Sequence, residues 1–104
     1  MKPEALRGQL DALVLATLRG GPAHGYAVIE ELKRRSEGAF DLAEGTVYPV
    51  LHRLEADGLL ASSWSTASGR RRRVYRLTKR GESALARREA EWRAFANAVE
   101  AVLT

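Results

Sequence analysis

The sequence predicts a small, mainly helical α+β domain in which three helices precede a β-hairpin and a long fourth helix follows it. Apolar residues recur at helical spacing through the first half of the chain, which is typical of amphipathic helices. Two short strand-like stretches flank a small polar turn at residues 66–69, which indicates a hairpin. A chain of 104 residues is long enough for one domain with its own apolar core.

The first helix is predicted over residues 4–19 and ends at the helix breakers Gly20, Gly21 and Pro22. Its apolar stripe contains Leu6, Leu10, Leu13 and Thr17. The second helix is predicted over residues 25–35, and its apolar positions are Tyr26, Ile29 and Leu32. A short connector over residues 36–43 leads into the third helix.

The third helix has the clearest apolar face, formed by Val47, Val50, Leu51 and Leu54. Asp41 and Glu44 have the spacing of a capping box, although Ala43 is a poor cap residue. Pro49 has no backbone donor, so we expect it in or near the first turn. Gly58 fits the left-handed position that ends a helix.

Residues 59–65 and 72–77 form the two strands of the predicted hairpin, and Thr78 is placed to cap a last helix over residues 79–103. In that helix Leu85, Trp92 and Val99 recur every seven residues. A long apolar stripe at the end of a small domain needs a partner surface, which a two-fold pair of helices would supply. Trp92 could alternatively line a pocket for flat aromatic ligands, since indole rings stack well.

The positive charge of the chain is concentrated in its middle. The net charge is +4, but residues 33–80 carry eleven basic and five acidic groups, net +6, whereas the segments on either side are each net −1. A basic region of this kind favours an anionic partner.

The residue types argue against catalysis and metal binding. The chain has no cysteine, which excludes disulfides, thiolate nucleophiles and cysteine zinc sites. His24 and His52 lack the spacing of metal ligands. We therefore predict a protein that is not an enzyme and binds no cofactor or metal. No apolar run approaches a membrane span and no signal-peptide core is visible, so we expect a cytoplasmic protein.

The outer face of the third helix carries groups suited to nucleic acid, namely Thr46, Tyr48, Pro49, His52 and Arg53. Such side chains bind phosphates and base edges in a major groove. The short connector before this helix is typical of a helix-turn-helix, in which Lys33 and Arg35 of the preceding helix would contact phosphates. A solvated helix face, with the basic residues stabilising a helix C-terminus, explains the same pattern.

Four consecutive arginines, Arg70, Arg71, Arg72 and Arg73, follow the hairpin turn. Their charges repel one another and become favourable when phosphates neutralise them and release counterions. A narrow minor groove is another place that favours arginine. A solvated charge run, or pairing with acidic side chains of the same chain, is the competing explanation.

Taken together, several short motifs resemble the PadR family of bacterial transcription regulators. They lie at residues 6–8, 21–26, 44–55, 57–59 and 69–78, followed by Gly81, and cover nearly the whole chain. Two positions depart from the family pattern: Val74 stands where relatives often have a second tyrosine, and Ala43 replaces a polar cap.

The resemblance implies a winged helix-turn-helix repressor that binds an inverted-repeat operator in double-stranded DNA as a homodimer. Residues 1–78 would form the DNA-binding domain, with its N-terminal helix contributing to the dimer. Residues 79–104 would form the dimerisation helix, within one compact unit. In the family, the residues that match Tyr26, Thr46 and Tyr48 lie near DNA, and some relatives sense small aromatic compounds.

We therefore predict two sets of functional residues. The DNA-binding set is Tyr26, Lys33, Arg35, Thr46, Tyr48, Pro49, His52, Arg53, Arg70, Arg71, Arg72 and Arg73. The set for a dimer interface or the pocket of a small hydrophobic or aromatic effector is Leu6, Leu10, Leu85, Trp92, Phe95 and Val99. The alternative function is a winged-helix adaptor that binds an acidic protein partner.

Overall fold

The computed structural model describes residues 9–67 and 69–104 of the chain. Its elements are α1 (Leu10–Thr17), β1 (Ala23–His24), α2 (Gly25–Arg35), α3 (Glu44–Ala56), β2 (Leu60–Ser65), β3 (Arg72–Leu77) and α4 (Lys79–Leu103). The predicted order of helices and hairpin is confirmed, and α4 has the predicted bounds. The predicted start of the first helix at residue 4 lies outside the described residues.

A two-residue strand that the sequence analysis missed turns the hairpin into a three-stranded antiparallel sheet of order β1-β3-β2. Ala23 of β1 lies opposite Tyr75 of β3, and His24 lies opposite Val74. Two residues are too few to show the alternation by which a strand is recognised. Because β1 continues directly into α2, this strand ties the hairpin to the helices.

A single apolar core joins the helices to the sheet. Its buried residues are Leu10, Val14, Leu15, Leu18, Val28, Leu32, Val47, Val50, Leu51, Leu54, Leu60, Tyr75, Ala84 and Leu85. The apolar face predicted for α3 is therefore confirmed. Tyr75, on the central strand, is only 1% exposed, and this burial raises the pKa of its phenol.

The start of α3 differs from the prediction in its cap. The capping box is wrong: Ala43 is the N-cap without a side-chain hydrogen bond, and Asp41 instead lies 3.8 Å from Lys33. Pro49 is the sixth residue of α3 and lies near its first turn, as expected. A proline is tolerated there because the carbonyl that loses its donor belongs to exposed Gly45, where water can bind it.

The C-terminal end of α3 and the start of α4 follow the prediction and meet each other. Gly58 has a φ of 79°, and the next residue, Leu59, donates from its backbone N–H to the Leu54 carbonyl at 2.9 Å. The Thr78 hydroxyl caps α4 by accepting from the Gly81 N–H at 3.0 Å, and donates to the Gly58 carbonyl at 2.7 Å. Gly81 packs so tightly that a β-carbon on it would lie 2.0 Å from the Leu59 carbonyl oxygen.

Replacement of Gly81 by alanine should therefore lower the free energy of unfolding by about 3 kcal/mol, because backbone must move to admit the methyl group. Urea denaturation followed by circular dichroism measures this change. The matched control is Gly45→Ala in α3, where a β-carbon would meet nothing within 4 Å. That control should raise the free energy of unfolding by roughly 0.5 kcal/mol through helix propensity. Equal stability of the two variants would contradict the packing described for Gly81.

Candidate nucleic-acid interface

The face of α3 opposite the core is polar and exposed. Thr46, Pro49, His52 and Arg53 are exposed, and Tyr48 is half-buried. The rings of Tyr48 and His52 lie one turn apart, with their centroids separated by 6.4 Å and tilted by 58°. A hydroxyl, a phenol and an imidazole are therefore grouped on one side of α3.

Contact with Gly25 at the start of α2 fixes the position of Tyr48. A β-carbon on Gly25 would lie 2.6 Å from Cε1 and 2.9 Å from the hydroxyl of the Tyr48 ring. Since Gly25 is buried, the ring occupies the space that a larger residue would need. The helix-turn-helix thus holds the Tyr48 side chain by packing.

His24 connects the start of α2 to the central strand. Its Nδ1 lies 3.3 Å from the backbone nitrogen of Ala27, and its Nε2 lies 2.7 Å from Nη1 of Arg72. A neutral imidazole accepts at one nitrogen only, so the ring caps α2 or accepts from Arg72. In either tautomer His24 lies between the helices and the wing, the name used from here for the β2–β3 hairpin with its turn.

A cleft of about 450 Å³ separates the wing from the first residues of α2 and α3. Its lining residues are His24, Gly25, Tyr26, Glu44, Tyr48, Arg70, Arg71, Arg72, Arg73 and Tyr75. Four arginines face one carboxylate across this space, so the cleft is positively charged. Tyr26 lies on its rim and is 53% exposed. The structure therefore brings six of the predicted DNA-binding residues together, namely the four wing arginines, Tyr26 and Tyr48.

The wing arginines are held in different ways. Arg73 donates from Nε to the Ser62 hydroxyl at 2.8 Å and lies 3.3 Å from the Glu55 carboxylate. The Ser62 hydroxyl in turn donates to Glu55 at 2.5 Å. The guanidinium of Arg71 instead lies over the ring of Trp64, 4.3 Å from its centroid. Trp64 belongs to the wing surface although the sequence analysis did not select it.

Glu55 is the acidic centre of this arrangement. The hydrogen bond from Ser62, followed by the attraction of Arg73, lowers the pKa of its carboxyl below the ordinary value. The intramolecular pairing that competed with phosphate binding as an explanation thus applies to Arg73.

The basic residues predicted to contact phosphates from α2 also have partners within the chain. Arg35 donates from Nε to Glu31 at 2.8 Å and from Nη1 to the Ala16 carbonyl at 3.2 Å. Arg34 also pairs with Glu31. The hydrogen bonds from Arg34 and Arg35 lower the pKa of the Glu31 carboxyl to about 2. The charges remain at the surface, but the ends of α1 and α2 hold the Arg35 side chain in place.

Arg53 joins α3 to α1 through a bidentate ion pair. Its Nη2 and Nη1 donate to the Asp11 carboxylate at 2.6 and 2.9 Å, which raises the pKa of Arg53. Arg88 of α4 lies 3.9 Å from the same carboxylate. Asp11 therefore links three helices, and the predicted phosphate contact of Arg53 would compete with this pair.

The predicted dimer or effector residues separate into two groups. Leu10 and Leu85 are 7% and 2% exposed, which corrects their assignment, because the core of the chain itself covers them. Trp92 and Phe95 are 52% and 62% exposed, with ring centroids 6.1 Å apart, and Val99 is 38% exposed. Leu6 lies outside the described residues.

A small cleft of about 210 Å³ beside Trp92 is lined by Gln9, Arg88, Glu91, Trp92 and Phe95. Trp92 and Phe95 belong to the residues that the sequence predicts for a dimer interface or for the pocket of a small aromatic or hydrophobic effector. That an effector binds here stays a prediction.

The described parts of the chain show neither a metal site nor a membrane-spanning helix. Within residues 9–67 and 69–104, no group of three or more His, Cys, Asp or Glu side chains could hold a metal ion. None of the helices described is both long enough and apolar enough to cross a membrane.

A helix-turn-helix beside a small basic antiparallel sheet defines the winged-helix class of transcriptional regulators. The chain belongs to the PadR-like family of that class, because the model of the "Transcriptional regulator PadR-like family" matches residues 14–87. The resemblance seen in the sequence motifs is thereby confirmed. The family groups transcriptional regulators, not enzymes, as predicted.

Individual relatives agree with this assignment. The chain is 50% identical over 62 residues to the transcriptional regulator Rv3488 of Mycobacterium tuberculosis, a match that covers 60% of this chain and 55% of that protein. A PadR family regulator from Eggerthella lenta has 38% identity and a TM-score of 0.82, over 96% of this chain and 86% of that chain. A Streptococcus transcriptional regulator has 26% identity and a TM-score of 0.85, over 99% and 100% of the two chains.

The Glu55 arrangement predicts a pH-dependent stability. Folding lowers the pKa of Glu55 below its ordinary value of 4.5. The Glu55 carboxylate therefore stabilises the fold fully at a pH above about 4.5, and this stabilisation is lost as the pH falls through the pKa of Glu55 in the folded state. Glu55→Gln should lower the free energy of unfolding at neutral pH by less than about 1 kcal/mol, and this difference should vanish in acid. Urea titrations across the acidic range measure both quantities.

Glu91→Gln on exposed α4 is the charge-matched control. A deficit of the Glu55 variant that stayed constant from neutral pH into acid would contradict the assigned role of the Glu55 carboxylate.

Proposed function

We propose that the chain is a homodimeric, sequence-specific DNA-binding repressor that acts on an inverted-repeat operator. The observation that carries this proposal is the basic cleft, because the wing arginines and Tyr48 of α3 line the same space. A recognition helix in a major groove and a wing on the adjoining backbone need groups of these kinds side by side.

In this proposal the exposed face of α3 reads base edges. Thr46 and His52 offer hydrogen-bonding groups, and Pro49 offers an apolar surface for a thymine methyl group. The Tyr48 ring packs against Gly25, which restricts its movement, so its hydroxyl is presented with less loss of side-chain freedom on binding.

Tyr26 and the basic residues around this face would bind the DNA backbone. Tyr26 is exposed at the start of α2, and Lys33, Arg35 and Arg53 are exposed at helix ends. Phosphates compete with Glu31 and Asp11 for two of these side chains, so we expect them to add less affinity than unpaired charges.

The second half of α4 supports dimer formation. Beyond Leu85 this helix exposes an apolar series of Trp92, Phe95, Val99, Val102 and Leu103. Exposed apolar patches of this kind mark protein interfaces. To bind successive major grooves on one side of DNA, a dimer formed by pairing of two α4 helices must hold its two copies of α3 about 34 Å apart.

Selection from a random duplex library tests the DNA-binding proposal. We expect enrichment of an inverted repeat, with an affinity that falls steeply as the salt concentration rises. His52→Ala should lower the preference for the selected duplex over a scrambled one by about 10-fold, since a lost base contact is worth roughly that factor. Fluorescence anisotropy measures both affinities, and Arg87→Ala on exposed α4 serves as the control.

No enrichment, or an affinity that does not respond to salt, would contradict sequence-specific DNA binding. Capture of acidic proteins, together with indifference to DNA sequence, would favour the adaptor function instead. A reporter gene whose promoter overlaps the selected repeat then tests repression, because expression of the chain should reduce its transcription.

The dimer has its own test. Phe95→Glu places a charge in the apolar series and should convert the dimer into a monomer, because burial of an unpaired carboxylate is unfavourable. Asn97→Glu adds the same charge on the other side of α4 and should leave the dimer intact. Sedimentation equilibrium measures the mass of both variants, and an equal response to the two substitutions would count against an interface through Phe95.

A further inference from the structure

Trp64 is an unusual side chain for the surface of the wing. It is 55% exposed on β2, opposite Arg73 of β3, and contributes little to the core. The guanidinium of Arg71 lies 4.3 Å from the centroid of its ring, and that of Arg73 lies 5.6 Å away. A large exposed aromatic surface is thus covered by two cations.

The two cations differ in what else binds them. Glu55 and Ser62 hold Arg73, so that part of its charge is neutralised and its Nε donor is occupied. In the described part of the chain, Arg71 forms no ion pair, and its contact is the face of Trp64. A ring face attracts a cation through its quadrupole, which leaves the charge of Arg71 uncompensated and its N–H groups free.

Arg71 and Arg73 should therefore differ in how well they bind an anion. An arginine in a salt bridge must exchange one carboxylate for a phosphate, so little charge neutralisation is gained. An arginine stacked on an indole keeps five N–H donors in a fixed plane and has already lost much of its side-chain freedom. The stacked arginine is therefore the better phosphate ligand of the two.

We propose that Trp64 is a positioning residue that holds the Arg71 guanidinium for contact with a backbone phosphate of duplex DNA. Of the two arginines that lie over the Trp64 ring, Arg71 rather than Arg73 is then the phosphate ligand. The inference rests on the proposed DNA-binding function and assigns different roles within the run of four arginines.

The salt dependence of affinity tests the role of Arg71. The probe is a fluorescein-labelled 30-base-pair duplex of mixed sequence, so that no operator needs to be known. Arg71→Ala should reduce the slope of log affinity against log salt by about 0.9 for each protomer bound, since one phosphate contact is lost. Arg87→Ala, which removes one exposed charge from α4, should change this slope much less.

Substitutions of Trp64 test its positioning role. Trp64→Leu keeps an apolar side chain but removes the ring, and should weaken binding by about 2- to 5-fold per protomer. Trp64→Phe keeps a ring face and should restore part of that loss. In an Arg71→Ala background, Trp64→Leu should not weaken DNA binding further, because the two substitutions remove the same interaction. Thermal denaturation of each variant checks that the fold persists.

The fluorescence of the protein without DNA tests the contact between Trp64 and Arg71 independently of the proposed function. In a Trp92→Phe background Trp64 is the remaining tryptophan, and Arg71→Ala should change its emission. An unchanged emission, or equal effects of Trp64→Leu with and without Arg71, would overturn the positioning role while leaving DNA binding intact. Absence of duplex binding by the unaltered chain would overturn the proposed function and the phosphate role of Arg71 together.

Discussion

Burial of the Tyr75 ring is the interaction that attaches the sheet to the helices. The ring lies on the central strand of the sheet, is almost fully buried, and faces Ala23 of the strand that leads into α2. A two-stranded hairpin alone is marginally stable in water, so the wing needs this anchor to the helices. This packing, together with the β1–β3 pairing and the contacts of His24 with Arg72 and of Glu55 with Arg73, sets the orientation of the wing relative to α3 and with it the shape of the basic cleft.

The second organising feature is how the few carboxylates are distributed among many cations. Asp11 binds Arg53 and Glu55 binds Arg73, so these two pairs link separate elements, whereas Glu31 binds Arg34 and Arg35 within α2. The sequence total of +4 therefore understates how unevenly the charge is compensated. In the wing turn an aromatic ring rather than a carboxylate holds Arg71, so this contact does not neutralise its positive charge.

Much of this architecture could be predicted from local patterns, because local patterns report local physics. The buried face of α3, the glycine at its end and the Thr78 cap all depend on residues within a few positions of one another. The strand at Ala23 was missed because its pairing partner lies about fifty residues away, and two residues carry no periodicity of their own. Pairing of the wing arginines with acidic side chains was considered, but Glu55 could not be identified as the partner of Arg73 because it lies in a different element. Leu85 and Trp92 share one heptad stripe, but the pattern contains no information about where along α4 the core ends.

The contact between Gly25 and Tyr48 has a consequence for how sequences of this fold can vary. The two residues belong to separate motifs, yet the ring of one fills the space where the other would carry a β-carbon. A side chain at position 25 becomes admissible only if position 48 shrinks or turns away, which would change the groups presented by α3. The Tyr48 ring on α3 therefore limits which residues the start of α2 can carry at position 25.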